Sequence, residues 1–233
     1  MSSDKEWIGW HFLKEDRRLQ FPPHTPVEVG QTLTVERDLE PCFSGLHASK
    51  TAMDALKYAP GPVVCRVRLA GKIVEDGDKA CASERTCLWM ADATEVLHRF
   101  ACWCAAQALK AEEKAGRCVD ARCWDAVKTK LRWLEGRASG EQVDAAWSAA
   151  AVGDRSAAWM SAWAVALAAD RSPACGAARS AAWTSAWAVA LAAEGHAARS
   201  AATAAVRSAV RSAQNKKLEA MLIWHHLNRS NRP

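Results

Sequence analysis

Hydrophobic and polar positions divide the chain into a front part of short apolar runs and a back part with long helical periodicity. Residues 7–12 (Trp-Ile-Gly-Trp-His-Phe) are aromatic and β-branched, which predicts a first strand. Pro22, Pro23 and Pro26 mark a loop, and the alternation of Val29, Leu33 and Val35 around Gly30 predicts a short strand or hairpin over 27–35. Ala52, Ala55, Leu56 and Ala59 keep helical spacing after Thr51, and Pro60-Gly61-Pro62 stops that helix. Residues 63–74 and 85–90 read as further strands separated by the acidic turn Glu75-Asp76-Gly77-Asp78. From Thr94, a good N-cap, a long helix runs through Leu97, Phe100, Ala101 and Trp103 into the charged stretch 110–114, and another helix covers about 120–134. The pattern therefore predicts an α+β chain, with a small mixed sheet domain over 1–93 and an all-α, Ala/Trp-rich region over 94–233.

The helical region contains an internal repeat. Residues 155–170 recur 24 positions later as 179–194, differing only at Met160/Thr184 and Asp170/Glu194. Trp159, Trp163 and Leu167 share one helix face, as do Trp183, Trp187 and Leu191, which predicts tryptophans buried between helices with alanines allowing close approach. Pro173 and Gly176 are expected to separate the copies and Gly195 to cap the second, giving antiparallel neighbours in a hairpin or bundle.

Composition adds that half of the residues are hydrophobic, enough for a buried core. The start is charged and carries no secretory pattern, and the apolar runs 156–169 and 180–193 are short and mostly Ala, so a soluble, cytoplasmic protein without a membrane partner is expected. Nine scattered cysteines suit reduced thiols, and neither Cys102-x-Cys104 nor Cys118-x4-Cys123 makes a metal site of the usual paired spacing, so no metal is expected.

Charge is uneven. Residues 1–144 hold 21 Lys/Arg against 22 Asp/Glu, while residues 145–233 hold 10 against 4. The surplus at the C-terminal end makes Arg199, Arg207, Arg211, Lys216 and Lys217 candidate phosphate contacts for nucleic acid. The same residues also fit an ordinary solvated helix face.

Several motifs carry a resemblance. Gly9-Trp10-His11-Phe12, Cys42-x2-Gly45-Leu46-His47-Ala48-Ser49, Asp54-Ala55-Leu56-x-Tyr58-Ala59-Pro60-Gly61, Arg66-Val67-x-Leu69-x-Gly71 and Asp78-Lys79 resemble an uncharacterised family of phage and prophage proteins with Ala-rich helical tails. That resemblance covers roughly the first hundred residues and implies no activity.

A subset also resembles ADP-ribosyltransferases of the diphtheria-toxin and poly-ADP-ribose-polymerase type. Trp10-His11 is similar to their first motif, Gly45-Leu46-His47-Ala48 to the second, Tyr58 to the tyrosine that ends the following helix, and residues 66–71 to the next strand. The resemblance implies NAD as substrate and a macromolecular acceptor. It gives His11 the task of orienting a ribose hydroxyl, His47 and Tyr58 the walls around nicotinamide, and Glu84 the carboxylate that stabilises the cationic transition state. Two departures stand out: His47 occupies a tyrosine position, and Phe12 replaces the small glycine after the histidine.

No Gly-x-Ser-x-Gly, Gly-x4-Gly-Lys-Ser/Thr, Gly-x-Gly-x2-Gly or His-Glu-x2-His occurs, which leaves aside the hydrolase, phosphate-loop, dinucleotide-fold and zinc-protease schemes that depend on them. A Cys42/His47 nucleophile pair has spacing alone behind it. Two functions stay open at this point: ADP-ribose transfer from NAD, and a non-enzymatic protein that holds nucleic acid or a host protein.

Overall fold

A computed structural model describes residues 7–41, 43–151, 174–194 and 201–230. Cys42, Trp159, Trp163, Leu167, Pro173, Gly195 and Arg199, on which parts of the sequence reading rest, lie outside the described residues. The fold is α+β, an antiparallel five-stranded sheet followed by helices. The chain clusters into two compact units, one of Met1–Thr94 with Glu219–Pro233 and one of Glu95–Leu218.

In the first unit, β1 (Trp7–Leu13), β2 (Thr32–Thr34), β3 (Leu46–Ser49), helix α1 (Ala52–Lys57), β4 (Val63–Asp76) and β5 (Lys79–Asp92) follow in order. The antiparallel pairings close a circuit, because β1 pairs with β3 and β4 while β5 pairs with the same two strands. β2 adds to the far part of β5, opposite Glu84, Arg85 and Thr86. Two register shifts in the β4–β5 hairpin, at Arg66/Val67 and Ala70/Ile73, bend the long strands so that the circuit can close. Gly71 makes the second possible: its φ is +68°, and a Cβ there would fall on Ser83 Oγ.

Trp7, Leu13, Val63, Val67 and Leu69 belong to the interior cluster, joined by the small residues Ala48, Ala80 and Ala82. Those alanines explain why β5 begins six residues before the predicted strand: the run Ala80-Cys81-Ala82 lacks β-formers but is buried and paired on both edges. β3 was not foreseen as a strand. It is four residues long and held by pairing with β1 and β5 rather than by its own pattern. Thr51 caps α1 by accepting from Asp54 N–H, as its place before the apolar spacing suggests.

In the second unit, α2 (Thr94–Lys114) buries Leu97, Phe100, Ala101, Cys104, Ala105 and Ala108, spaced at three and four residues as in the sequence reading. Asp120 caps α3 (Ala121–Leu134) and α3 packs on α4 (Gly140–Ala151). α5 (Ala174–Glu194) begins directly at Ala174 and takes Gly176 into its first turn, so Gly176 does not break the helix.

The expectation of buried tryptophans is corrected at Trp183, while the side chains of Trp187 and Leu191 lie outside the described residues. Trp183 is 55% exposed, whereas Ala174, Ala178, Ala181, Ala182, Ser185 and Ala188 are buried. Small residues let helix backbones approach, and that face excludes the indole instead of enclosing it. Nothing in the described residues addresses the side chains of the first copy.

The final helix, α6 (Ala201–Ser230), belongs to the second unit up to Leu218 and to the first from Glu219 on. Within the first unit, Glu219 Oε1 accepts from Ala52 N–H at 3.1 Å, a ring nitrogen of His225 lies 2.9 Å from Asp92 O, and His226 stacks on Trp89 at 4.3 Å. The sequence boundary near residue 93 had placed this whole segment in the helical region. No described helix is long and apolar enough to cross a membrane.

Candidate functional site

The first unit carries a cleft of about 850 Å³. Its walls come from β1 (Trp10, His11, Phe12), the loop after it (Leu19, Phe21, Pro22), the segment after β2 (Glu36, Arg37), β3 (His47), the end of α1 (Tyr58) and β5 (Lys79, Arg85). Three residues 11 to 47 positions apart in sequence, His11, His47 and Tyr58, thus line one space. Phe21 and Phe43, 69% and 80% exposed, stand among the lining residues, and exposed aromatics at a concave surface are a mark of ligand sites.

His11 sits in the middle of β1 opposite Cys65. Burial holds its pKa well below the usual imidazole range, and the charge of Arg85 and then His47 lower it further. His47 is also lowered, by burial first and then by Arg85 and Lys79, partly opposed by a hydrogen bond with the Gly45 backbone. Both rings are therefore neutral near pH 7, each with one N–H to donate and one nitrogen to accept.

Tyr58 is the C-cap of α1 and half exposed. Its hydroxyl donates to Asp78 Oδ1 at 2.8 Å, and Lys79 Nζ lies 4.8 Å from its ring centroid. Lys57 Nζ reaches the other oxygen of Asp78 at 2.5 Å. Burial raises the Asp78 carboxyl, but the hydrogen bonds from Lys57 and Tyr58 outweigh it and leave the pKa lowered. The tyrosine ring is thus fixed with one face under an ammonium group, able to stack against a planar ligand on its remaining surface.

Arg85 was missed by sequence reasoning. It is 3% exposed, and its Nη1 donates to His47 O at 2.7 Å, tying β5 to β3. Its Nη2 is buried with no hydrogen-bond partner among the described residues. Burial lowers its pKa to about 10, and the groups that oppose this are the thiols of Cys65 and Cys87, not carboxylates. An arginine in a strand reads as a solvent-facing position, and the signal that distinguishes it is pairing on both edges, which appears only with the fold.

Glu84 is not among the lining residues. The pleat gives the reason: successive side chains leave a strand on opposite sides, and Arg85, next to it, turns into the cleft. Glu84 instead stands beside the Gly71 bulge, opposite Thr34 of β2 and Ala70 of β4. Glu36 is the lining carboxylate, against Arg37, Lys79 and Arg85.

The basic residues of α6 do not form one surface. The helical repeat places Arg207 and Arg211 on the stripe that continues through the buried Gln214, Leu218 and Leu222, and both arginines are half-buried. The Arg207 guanidinium lies 5.6 Å from the Trp183 ring centroid. Lys216 and Lys217 are exposed, on other sides of the helix. No group of three or more His, Cys, Asp or Glu among the described residues is placed to hold a metal, and the described cysteines are free thiols.

Residues 9–99 match a family described as a domain of unknown function (DUF7666). No curated protein and no solved structure matches the chain. The matched span runs from Gly9 within β1 to the start of α2, so it contains the whole cleft lining.

Proposed function

We propose that the first unit is an ADP-ribosyltransferase-like module that holds NAD in this cleft and serves a phage-type protein acting on a macromolecular acceptor. The observation that carries the reading is the convergence of His11, His47 and Tyr58 on one cleft of a size that suits a dinucleotide. In this reading neutral His11 hydrogen-bonds the ribose next to nicotinamide, while the Tyr58 ring and the His47 imidazole flank the nicotinamide ring. Both imidazoles can do so near neutral pH without placing a further positive charge beside the cationic transition state.

Binding is better supported than transfer. Departure of nicotinamide leaves an oxocarbenium-like ribose that a carboxylate must stabilise, and Glu84 is turned away from the cleft. Transfer therefore requires Glu36, which lines the cleft, to approach the ribose. Calorimetric titration with NAD and a nicotinamide-release assay separate the two halves of the proposal. Saturable binding that weakens at least tenfold in Tyr58→Ala supports the NAD reading, and release abolished by Glu36→Gln with binding kept supports the transfer. Absence of NAD binding at millimolar concentration overturns both.

The alternative is a non-enzymatic protein that holds nucleic acid through α6, favoured by the exposed Lys216 and Lys217. Binding to DNA or RNA that falls steeply with salt would support it.

A further inference from the structure

Guanidinium groups removed from water are normally matched by a carboxylate, because an uncompensated buried charge is costly. In this chain even the partly exposed cations Lys57 and Arg117 have carboxylate partners, Asp54 and Asp78 for the first and Glu112 for the second. Arg85 differs: it is 3% exposed, one nitrogen is spent on His47 O, and Nη2 has no hydrogen-bond partner among the described residues. It is, however, one of the residues that line the cleft.

We infer that Arg85 is the anchor of an oxyanion subsite in the cleft, and that the group it takes is a phosphate of a nucleotide-type ligand. The inference rests on the reading of this cleft as a ligand site but does not require that the ligand be NAD.

The surroundings select an anion. Lys79 and Arg37 also line the cleft, against Glu36, so the lining carries a positive balance before His11 and His47 are counted. The two imidazoles add N–H donors without adding charge. A guanidinium whose Nη1 is fixed by a strand carbonyl keeps Nη2 in one orientation, and a rigid donor of this kind suits phosphate oxygens. The low polarity that lowers the Arg85 pKa also strengthens its attraction for an anion that displaces water from the cleft. Trp10, Phe21, Phe43 and Tyr58 line the same space and give the attached base or ring apolar surface, which is why a nucleotide fits better than a bare ion.

The experiment titrates the full chain calorimetrically with pyrophosphate, AMP, NAD and nicotinamide. Pyrophosphate and AMP should bind at one shared site and compete with each other, with AMP the tighter. Arg85→Lys, which keeps the charge but loses the fork, should weaken AMP at least tenfold, whereas Lys72→Gln, exposed on β4 and outside the cleft lining, should leave it as it was. Equal affinity of folded Arg85→Lys and parent overturns the anchor, as does absence of pyrophosphate and AMP binding to the parent at millimolar concentration.

Should Arg85→Lys fail to fold, the assigned Arg85 side-chain N–H signals of the parent decide: they should move on adding AMP, and unchanged signals at saturation overturn the inference. AMP binding without NAD binding leaves the anchor standing and removes the NAD reading. NAD binding that neither pyrophosphate nor Arg85→Lys disturbs does the reverse.

Discussion

Both units bury polar side chains, and they do so in opposite ways. In the helical unit Gln214, 2% exposed, donates from Nε2 to Ala182 O and to Ser185 Oγ, each at 2.9 Å, and Ser185 Oγ in turn donates to Ala182 O at 3.2 Å. That cluster ties α6 to α5 within a wall of alanines: its donors are used within the fold, and only Gln214 Oε1 lacks a partner among the described residues. In the sheet unit Arg85 is as deeply buried, yet its Nη2 has no hydrogen-bond partner among the described residues, and the residue lines a cleft. Burial with partners marks structure; burial without them, beside open space, marks a place where a ligand completes the site.

The largest effect that probes this contrast is in the helical core itself. Phe100, 0% exposed, stacks on Trp103 at 6.1 Å within α2. Phe100→Ala should cost about 3–5 kcal/mol, read from the shift of the urea midpoint at constant slope. A loss below about 1 kcal/mol would mean that the alanine-rich unit collapses around the void and lacks a fixed core.

Next in size is an acid effect from the same unit. His98 is 7% exposed, its Nδ1 has no hydrogen-bond partner, and its pKa is lowered to about 4 by burial and then by the charge of Lys130. In the unfolded chain the ring takes a proton below about pH 6.5; in the folded chain it does not until about pH 4. Between these values the unfolded state binds more protons, so stability falls as the pH drops through that window. The loss from this group should reach roughly 1–3 kcal/mol at its lower end, and His98→Leu should flatten that part of the stability–pH curve. An unchanged curve would place His98 in contact with water.

How far the sequence foretold these features follows from the range of the interactions involved. β1, α1, α2 and α3 were legible because each is specified by its own spacing and caps, such as Thr51 before α1 and Asp120 before α3. β3 and the first half of β5 were not, since Leu46–Ser49 and the small residues from Ala80 on become strands only through partners far along the chain. The Trp183 expectation failed for a related reason: spacing identifies a face, but whether the aromatic or the alanine face is buried depends on how closely the neighbour approaches. In the cleft, His11, His47 and Tyr58 were legible as motif positions. Arg85 and Glu84 were exchanged, because adjacent residues in a strand cannot both face the cleft and nothing local says which one does.

A smaller effect is expected at the Gln214 cluster. Gln214→Leu keeps the volume and removes the two bonds donated by Nε2, while also removing the Oε1 atom that has no partner. The net cost should be about 1 kcal/mol, measured by thermal or urea unfolding. A gain in stability would show that the cluster is no better matched than Arg85, and the contrast between the units would dissolve.

The smallest expected change in stability, and the sharpest test of the comparison, is Arg85→Met. Methionine fills much of the same volume without a charge, so the substitution removes the cost of a guanidinium held away from water and gives up the bond to His47 O. These two terms oppose each other, and the midpoint of unfolding should move by no more than about 1 kcal/mol in either direction. AMP binding should nevertheless be lost, because the guanidinium that lines the cleft has gone. Stability and binding would then separate at Arg85, whereas Gln214→Leu changes stability and leaves AMP binding as it was. If Arg85→Met instead destabilises by more than about 3 kcal/mol, the guanidinium is a structural tie between β5 and β3, its vacant Nη2 is incidental, and the cleft would have to be explained from His11, His47 and Tyr58 without it.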